Sequence, residues 1–160
     1  MAQKIIKTNA IRMLDKFKIK YNIHTYEGDS TWTGEMIANA LNEDCKTVYK
    51  TLVTVSKTGA NYVFLVPVNK ELDLKKAACA VNEKALSMLK AKELLPLTGY
   101  VHGGCSPIGM KKLLTTVLDS TAQGFDKIFF SGGKIGLQIE TSPENLKKLV
   151  PFTYYNITVE

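Results

Sequence analysis

Two apolar strand-like segments, residues 47–55 and 62–68, place the strongest constraint on the fold. Both are rich in β-branched and aromatic residues, and the five residues 57–61 between them, Lys-Thr-Gly-Ala-Asn, have the composition of a hairpin loop. The pattern therefore predicts an antiparallel strand pair. A sheet that contains this pair is the expected centre of the fold.

Helical and strand-like segments alternate along the rest of the chain. Thr8, Thr33 and Ser142 are each placed to cap a helix, the last with Pro143 at its first helical position. Residues 73–95 show a helical spacing of apolar residues, and Pro96 is expected to end that helix. Further strands are expected at residues 21–26, 113–118, 127–131, 135–140 and 154–159.

Helices interleaved with hairpin-linked strands predict an α+β fold, in which helices surround a central mixed or antiparallel, barrel-like sheet. The length of 160 residues is typical of one domain, so residues 1–160 are expected to form a single domain. No apolar stretch reaches the ~20 residues that a membrane span needs, and the N-terminal stretch lacks the apolar core of a signal peptide. We therefore expect a cytoplasmic protein.

Composition limits the chemistry that the chain can carry. Cys45, Cys79 and Cys105 are odd in number and form no C-x-x-C pair, which favours reduced thiols over a disulfide framework or a zinc site. With no H-E-x-x-H motif and no aspartate ladder, the expectation is chemistry without a metal or cofactor. The formal net charge of +6 favours a polyanionic partner such as nucleic acid, although lysines can equally form a solvated surface.

Glycine-rich segments point to a functional loop. Gly99, Gly103, Gly104, Pro107 and Gly109 all fall within residues 97–109, which are too rich in special backbone positions for regular structure. Backbone N–H groups in such a loop can stabilise an oxyanion. The second segment, Ser-Gly-Gly-Lys at residues 131–134, could serve the same purpose, but a tight turn between two strands also explains it fully.

Lys50 and Cys105 are the candidate reactive side chains. On the strand at residues 47–55, Lys50 shares a face with Val48 and Leu52, so its side chain is expected to enter apolar surroundings. An inward lysine usually has a functional task, but its long stem can also reach solvent from a strand end. Cys105 lies three residues after His102, a spacing that shows proximity and not the geometry of a catalytic dyad.

Four segments together resemble those of one protein family. They are HTYEGD at residues 24–29, VYKTLV at 48–53, TGYVHGGCSPIGMKK at 98–112 and SGGKIGLQIE at 131–140. In content, order and spacing they resemble the YbaK family of free-standing aminoacyl-tRNA deacylases, and the resemblance extends over residues 8–159. Each fragment alone is weak, and it is the combination that is specific.

The resemblance implies a compact mixed α/β domain that acts on an aminoacyl ester at the 3′ end of tRNA. By motif position Lys50 is the family's signature lysine, and Gly103 lies in the same pocket. Our hypothesis is that the N–H groups of Gly103 and its neighbours donate to the ester carbonyl oxygen. The residues implied to line the same pocket and bind substrate are Tyr26, Thr51, Tyr100, Ser106, Ser131 and Gly133.

The resemblance further implies that the substrate is cysteine misattached to proline tRNA, with cysteine tRNA as a further substrate. The thiol of the misattached cysteine would attack its own ester carbonyl, which fits the lack of a clear protein nucleophile. A complex with prolyl-tRNA synthetase is a compatible arrangement. Candidate contacts to tRNA phosphates are Lys75, Lys76, Lys111, Lys112, Lys147 and Lys148.

Three other functions remain open from the sequence. A related editing enzyme could remove alanine from proline tRNA, with water as the attacking group. A binding module for tRNA or a synthetase could keep the fold without the chemistry, although retention of Lys50 and both glycine segments speaks against it. A Cys105-dependent hydrolase would instead be inactivated by thiol alkylation or by Cys105→Ser.

Overall fold

A computed structural model describes residues 7–160 of the protein. Residues 1–6, part of the N-terminal stretch considered for a signal peptide, lie outside the described residues. The helices are α1 (Asn9–Lys16), α2 (Gly34–Ala40), α3 (Leu74–Ala80), α4 (Ala91–Thr98) and α5 (Pro143–Leu149). The strands are β1 (Asn22–Thr25), β2 (Tyr49–Ser56), β3 (Asn61–Pro67), β4 (Leu86–Met88), β5 (Thr115–Asp119), β6 (Ile128–Ser131), β7 (Leu137–Thr141) and β8 (Phe152–Tyr155).

A five-stranded sheet forms the centre of the fold, with the strand order β4-β2-β3-β5-β8. The predicted hairpin is confirmed: β2 and β3 pair antiparallel, with Lys50 opposite Val66 and Val53 opposite Val63. β3–β5 and β5–β8 pair in parallel, so the sheet is mixed. Together with the helices this confirms the predicted α+β class.

A second sheet has three strands in the order β1-β7-β6, all antiparallel. An isolated bridge between Val48 and Phe129 joins it to the larger sheet. A closed barrel needs every strand to be paired on both sides. In the described part of the chain β1, β6, β4 and β8 are sheet edges, so the expectation of a barrel-like closure is wrong in this respect.

The prediction of one helix over residues 73–95 is also wrong, because this segment contains residues of three separate elements. α3 ends near Asn82, which adopts a left-handed conformation with φ 58°. Leu86–Met88 then pairs with Thr54–Ser56 as β4, since sheet hydrogen bonds override the helical pattern. Pro96 lies inside α4 and not beyond it, because near the helix end it removes only one intrahelical hydrogen bond.

Both faces of the five-stranded sheet are covered. Leu65 on β3 packs into the largest core cluster, which also contains residues of α1 and α5, such as Leu14 and Leu146. Its neighbours Phe64 and Val66 face the opposite side, where they pack with Ala77 and Ala78 of α3. Successive side chains of a strand alternate between faces, so burial on both sides gives a continuous apolar strand.

The predicted N-caps are confirmed. The hydroxyls of Thr8, Thr33 and Ser142 accept hydrogen bonds from the backbone N–H groups of Ile11, Met36 and Asn145. The Thr8 hydroxyl also donates to the carbonyl of Gly132, so it ties α1 to the turn between β6 and β7. The last strand begins earlier than expected, at Phe152, and Thr158 forms only an isolated bridge with Leu72. Within residues 7–160, no helix is long and apolar enough to span a bilayer.

Thr8→Ala should destabilise the protein more than Ser142→Ala does. Both variants lose an N-cap, which costs about 1 kcal/mol, but Thr8→Ala also loses the hydrogen bond to Gly132, which adds about 1 kcal/mol. Urea unfolding of the two variants and the wild-type protein gives these free energies. Equal losses in the two variants would show that the bond to Gly132 contributes nothing.

Candidate active site

A cavity of about 600 Å³ opens beside the first half of β2. This volume is within the range of about 300–1,000 Å³ that is usual for small-molecule sites. Its walls come from the segment after β1, from β2 and the segment after β3, from the glycine-rich loop after α4, and from β6 and β7. The predicted site residues that line it are Tyr26, Lys50, Thr51, Gly103 and Ser131.

The pairing of β2 explains why successive residues of this strand reach the cavity. β4 covers only Thr54–Ser56, so the first half of β2 is not paired on that side. Lys50 and Thr51 lie on opposite faces of the strand, yet both line the cavity at this open edge. The short length of β4 therefore leaves room for the site.

Lys50 is half-buried in the cavity wall, as its place on the apolar face of β2 led us to expect. Burial lowers the pKa of its ammonium group, because desolvation disfavours the charged form. The carboxylates of Glu71 and Glu35, which also line the cavity, oppose this change. Lys50 is thus a cation in a site of restricted solvation, where its charge acts more strongly on a ligand than it would in bulk water.

The two glycine-rich segments pack against each other. A side chain at Gly104 would come within 2.9 Å of Lys134 Cα, so only glycine allows the loop after α4 to approach the turn between β6 and β7 so closely. Gly103 has φ 85°, which strongly favours glycine. Within residues 7–160 the Gly103 N–H finds no backbone acceptor, whereas the Gly104 N–H donates to the Val101 carbonyl at 3.0 Å.

Two buried polar atoms of the cavity residues lack a hydrogen-bond partner in the part of the chain that the structure describes. They are Thr51 Oγ1 and Gln138 Oε1. Buried polar atoms are seldom left unpaired, so these two are available to a ligand or to water. Gln138 lies on β7 opposite Ser131 of β6 and is 3% exposed.

Tyr100, Ser106 and Gly133 do not line the cavity. The Tyr100 hydroxyl donates to the Ile108 carbonyl at 2.6 Å, and the Ser106 hydroxyl accepts from the Ile108 N–H at 3.3 Å. A side chain at Gly133 would come within 3.0 Å of the Tyr100 ring. In the structure these three residues therefore stabilise the glycine-rich loop from outside the cavity.

Among the cavity residues that the sequence analysis did not identify are Trp32 and Gln138. Gln138 lies inside the SGGKIGLQIE segment, and strand alternation from buried Leu137 and Ile139 gives no signal that it is buried as well. Trp32 lies in a segment of turn composition, and only the fold brings it next to the site. It is the single tryptophan of the chain, which was the one available signal.

Cys105 and His102 both line the cavity, but they differ in exposure. His102 is exposed, whereas Cys105 is buried, and burial raises the pKa of its thiol to about 12 although the nearby Thr98 hydroxyl opposes the rise. A nucleophilic cysteine needs the thiolate, which this environment suppresses. Within residues 7–160, no group of three or more His, Cys, Asp or Glu side chains could hold a metal ion.

A partly buried carboxyl group lies next to Gln138. Neither oxygen of Glu43 has a hydrogen-bond partner among residues 7–160. Burial raises the pKa of Glu43, and the neighbouring Gln138 amide and His24 oppose the rise. The Gln138 amide is close to the carboxyl group but makes no hydrogen bond to it. His24 itself pairs with Glu140 at 2.9 Å, also on the three-stranded sheet.

Known proteins are similar to this chain in sequence and in fold. The model of the aminoacyl-tRNA editing domain family matches residues 30–149. A protein of Enterococcus faecalis named as a proposed Cys-tRNA(Pro)/Cys-tRNA(Cys) deacylase, EbsC, is 41% identical over 155 residues, which cover 96% of this chain and 94% of that protein.

Solved structures agree with these sequence relations. A crystal structure of a proposed trans-editing enzyme for prolyl-tRNA synthetase has a TM-score of 0.81 at 25% identity, covering 98% of this chain and 100% of that one. A protein described only as hypothetical has a TM-score of 0.83 at 19% identity, covering 95% and 100% of the two chains. The latter likeness shows the fold alone.

Alkylation should distinguish Cys79 from Cys105. We expect iodoacetamide at pH 8 to modify exposed Cys79 first and to modify buried Cys105 at least about 100-fold more slowly, because little thiolate forms at Cys105. Peptide mass spectrometry of the native protein measures both rates, and labelling in urea is the control. Rapid labelling of Cys105 in the native protein would restore it as a candidate nucleophile.

Glu43→Gln should stabilise the protein at pH 8 by about 0.5–1 kcal/mol. This gain is smaller than the usual cost of an unpaired buried polar group, because Glu43 is partly exposed. Its pKa is raised in the folded state, so the ionised form is the destabilising one. The gain should be present in full above the folded-state pKa, and it should be lost as the pH falls below the ordinary value of 4.5, where both states are neutral.

Urea unfolding at pH 8 and at about pH 3.5 measures this difference. Glu27→Gln, at an exposed position, serves as the matched control. A gain that does not depend on pH would mean that ionisation of Glu43 is not its cause.

Proposed function

Because the chain belongs to the aminoacyl-tRNA editing domain family, we propose that it is a trans-editing deacylase that removes cysteine misattached to proline tRNA and also cysteine attached to cysteine tRNA. The observation that carries this proposal is the cavity itself. It places the Lys50 ammonium, the Gly103 backbone and the free acceptor atoms of Thr51 and Gln138 around one space. Its volume of about 600 Å³ suits a terminal nucleoside with a small amino acid and is far too small for the body of a tRNA.

The cavity supports a reaction in which the substrate supplies its own nucleophile. The thiol of the attached cysteine attacks the ester carbonyl carbon, a C–S bond forms, and the C–O bond to the ribose breaks. The thiol proton ends on the departing ribose oxygen, and water later opens the cyclic thioester. Cys105 is unsuited to replace that thiol, because its pKa is raised to about 12. An attached thiol is already next to the carbonyl, so orientation supplies much of the rate.

Lys50 and Gly103 have separate roles in this proposal. The ammonium of Lys50 favours the thiolate and the developing negative charge in the cavity, and the N–H of Gly103 donates to the carbonyl oxygen as that oxygen becomes an oxyanion. Tyr26, Thr51 and Ser131 contact the substrate from the cavity wall. Tyr100, Ser106 and Gly133 act indirectly, by fixing the loop that carries Gly103.

The proposed substrate is consistent with the basic surface. Of the lysines named from the sequence, all but Lys76 are exposed, and Lys76 donates a hydrogen bond to the Thr158 carbonyl at 2.8 Å. The exposed ones are free to approach tRNA phosphates. Aminoacyl-tRNA is used in the cytoplasm, where we place the reaction, and prolyl-tRNA synthetase is the proposed protein partner.

The proposal predicts that Lys50→Ala and Lys50→Met lower the rate of cysteine removal from proline tRNA by about 100-fold or more, because the charge that stabilises the reacting groups is lost. Their melting temperatures should equal or exceed that of the wild-type protein, since burial disfavours the Lys50 charge. Lys50→Met keeps the apolar stem and is the matched control for packing. Retained activity in both variants would remove Lys50 from the mechanism.

Substrate comparison separates the remaining candidates. Proline tRNA charged with cysteine should lose its amino acid rapidly, and the same tRNA charged with serine or alanine should not, because neither side chain carries a thiol. Faster removal of alanine would instead identify an alanine-editing enzyme that uses water. Tight tRNA binding without loss of any of the three amino acids would identify a binding module.

A further inference from the structure

An aromatic pair lies in the wall of the cavity. The rings of Tyr26 and Trp32 stack with a centroid distance of 5.9 Å and an interplanar angle of 21°. Both residues line the cavity that also contains Lys50 and Gly103. Trp32 has no assigned part in the chemistry described above, although a tryptophan at a cavity is a large apolar surface that a ligand can cover.

The segment between the two aromatic residues is shaped to hold them. A side chain at Gly28 would come within 2.7 Å of the Trp32 ring and 3.0 Å of the Tyr26 ring, so only glycine fits against the pair. The Asp29 side chain accepts a hydrogen bond from the Thr31 N–H at 2.8 Å, and the Trp32 N–H donates to the Asp29 carbonyl at 3.1 Å. The pair is therefore fixed before any ligand binds.

The pair is also tied to the rest of the site. The Tyr26 N–H donates to the Gly136 carbonyl at 3.0 Å, in the turn that leads to Gln138 on β7. On the other side, Trp32 immediately precedes Thr33, the cap of α2, and Glu35 in the first turn of α2 lines the same cavity as Lys50. A ligand that covers the aromatic pair is thus within the space that Lys50 also reaches.

We propose that the Tyr26–Trp32 pair binds the adenine base of the 3′-terminal nucleotide of the tRNA by stacking, an inference that rests on the proposed function. The amino acid removed is small and offers little surface for binding. The nucleotide to which it is esterified is an adenosine in every tRNA, and nucleobases stack readily on aromatic side chains. Anchoring that base fixes the ester relative to Lys50 and Gly103.

Trp32 fluorescence tests the binding directly. Because the chain has one tryptophan, its emission on excitation at long ultraviolet wavelength reports on this pair alone. Adenosine 5′-monophosphate should quench the emission saturably, and ribose 5-phosphate, which lacks the base, should not at equal concentrations. Equal quenching by both compounds, or by neither, would overturn the stacking proposal.

Kinetics with charged proline tRNA test the role in the reaction. Trp32→Leu should raise KM for deacylation about 10-fold, which corresponds to about 1.4 kcal/mol, while kcat stays within about 2-fold of the wild-type value. Trp32→Phe retains an aromatic face and should restore most of the affinity. Tyr155→Leu is the matched control, because this aromatic residue is 43% exposed and does not line the cavity. An unchanged KM for Trp32→Leu would overturn the proposal.

The two assays separate this inference from the proposed function. Quenching by adenosine 5′-monophosphate without deacylation of any charged tRNA would leave an adenine site and refute the deacylase. Deacylation without quenching, and with the wild-type KM in Trp32→Leu, would leave the deacylase and refute the adenine site. If Trp32→Leu fails to fold, the fluorescence titration of the wild-type protein and the kinetics of Trp32→Phe decide the matter, and a saturable quench with wild-type KM in Trp32→Phe supports the site.

Discussion

The close approach of Gly104 to the backbone of Lys134 and Ile135 is the contact on which the site depends. It holds the loop after α4 against the turn between β6 and β7 of the three-stranded sheet. The bridge between Val48 and Phe129 joins that sheet to the segment that leads into β2. The cavity is the space left between these two points of contact. A side chain at Gly104 would separate the loop from the turn and would move Gly103 away from Lys50.

The electrostatics of the cavity follow from this enclosure. Partial burial lowers the pKa of the Lys50 ammonium, and deeper burial raises the pKa of the Cys105 thiol to about 12. The same low solvation thus makes the lysine charge effective and the cysteine unreactive. A site with the Lys50 ammonium, a Gly103 N–H that has no backbone acceptor among residues 7–160 and a protonated Cys105 thiol suits a substrate that supplies its own nucleophile.

Local sequence signals predicted much of the fold. The hairpin of β2 and β3, the three threonine and serine caps and the glycine-rich loop all depend on neighbouring residues, so they were readable from the chain. The segment at residues 73–95 was not, because Leu86–Met88 becomes a strand only through pairing with Thr54–Ser56, far away in sequence. Closure of the sheet was misjudged for the same reason, since pairing between distant strand edges leaves no local pattern.

The sequence by itself determined which face of its strand carries Lys50 and where the two glycine-rich segments interrupt regular structure, because strand alternation and backbone conformation are properties of a few adjacent residues. Only the tertiary structure decided that Trp32 stacks on Tyr26 in the cavity wall, and that buried Gln138 and partly buried Glu43 lie beside each other with side-chain oxygens unpaired in the described part of the chain. Burial and contact depend on segments that are far apart in the chain, and the residues next to a position in the sequence do not show which distant segment will pack against it.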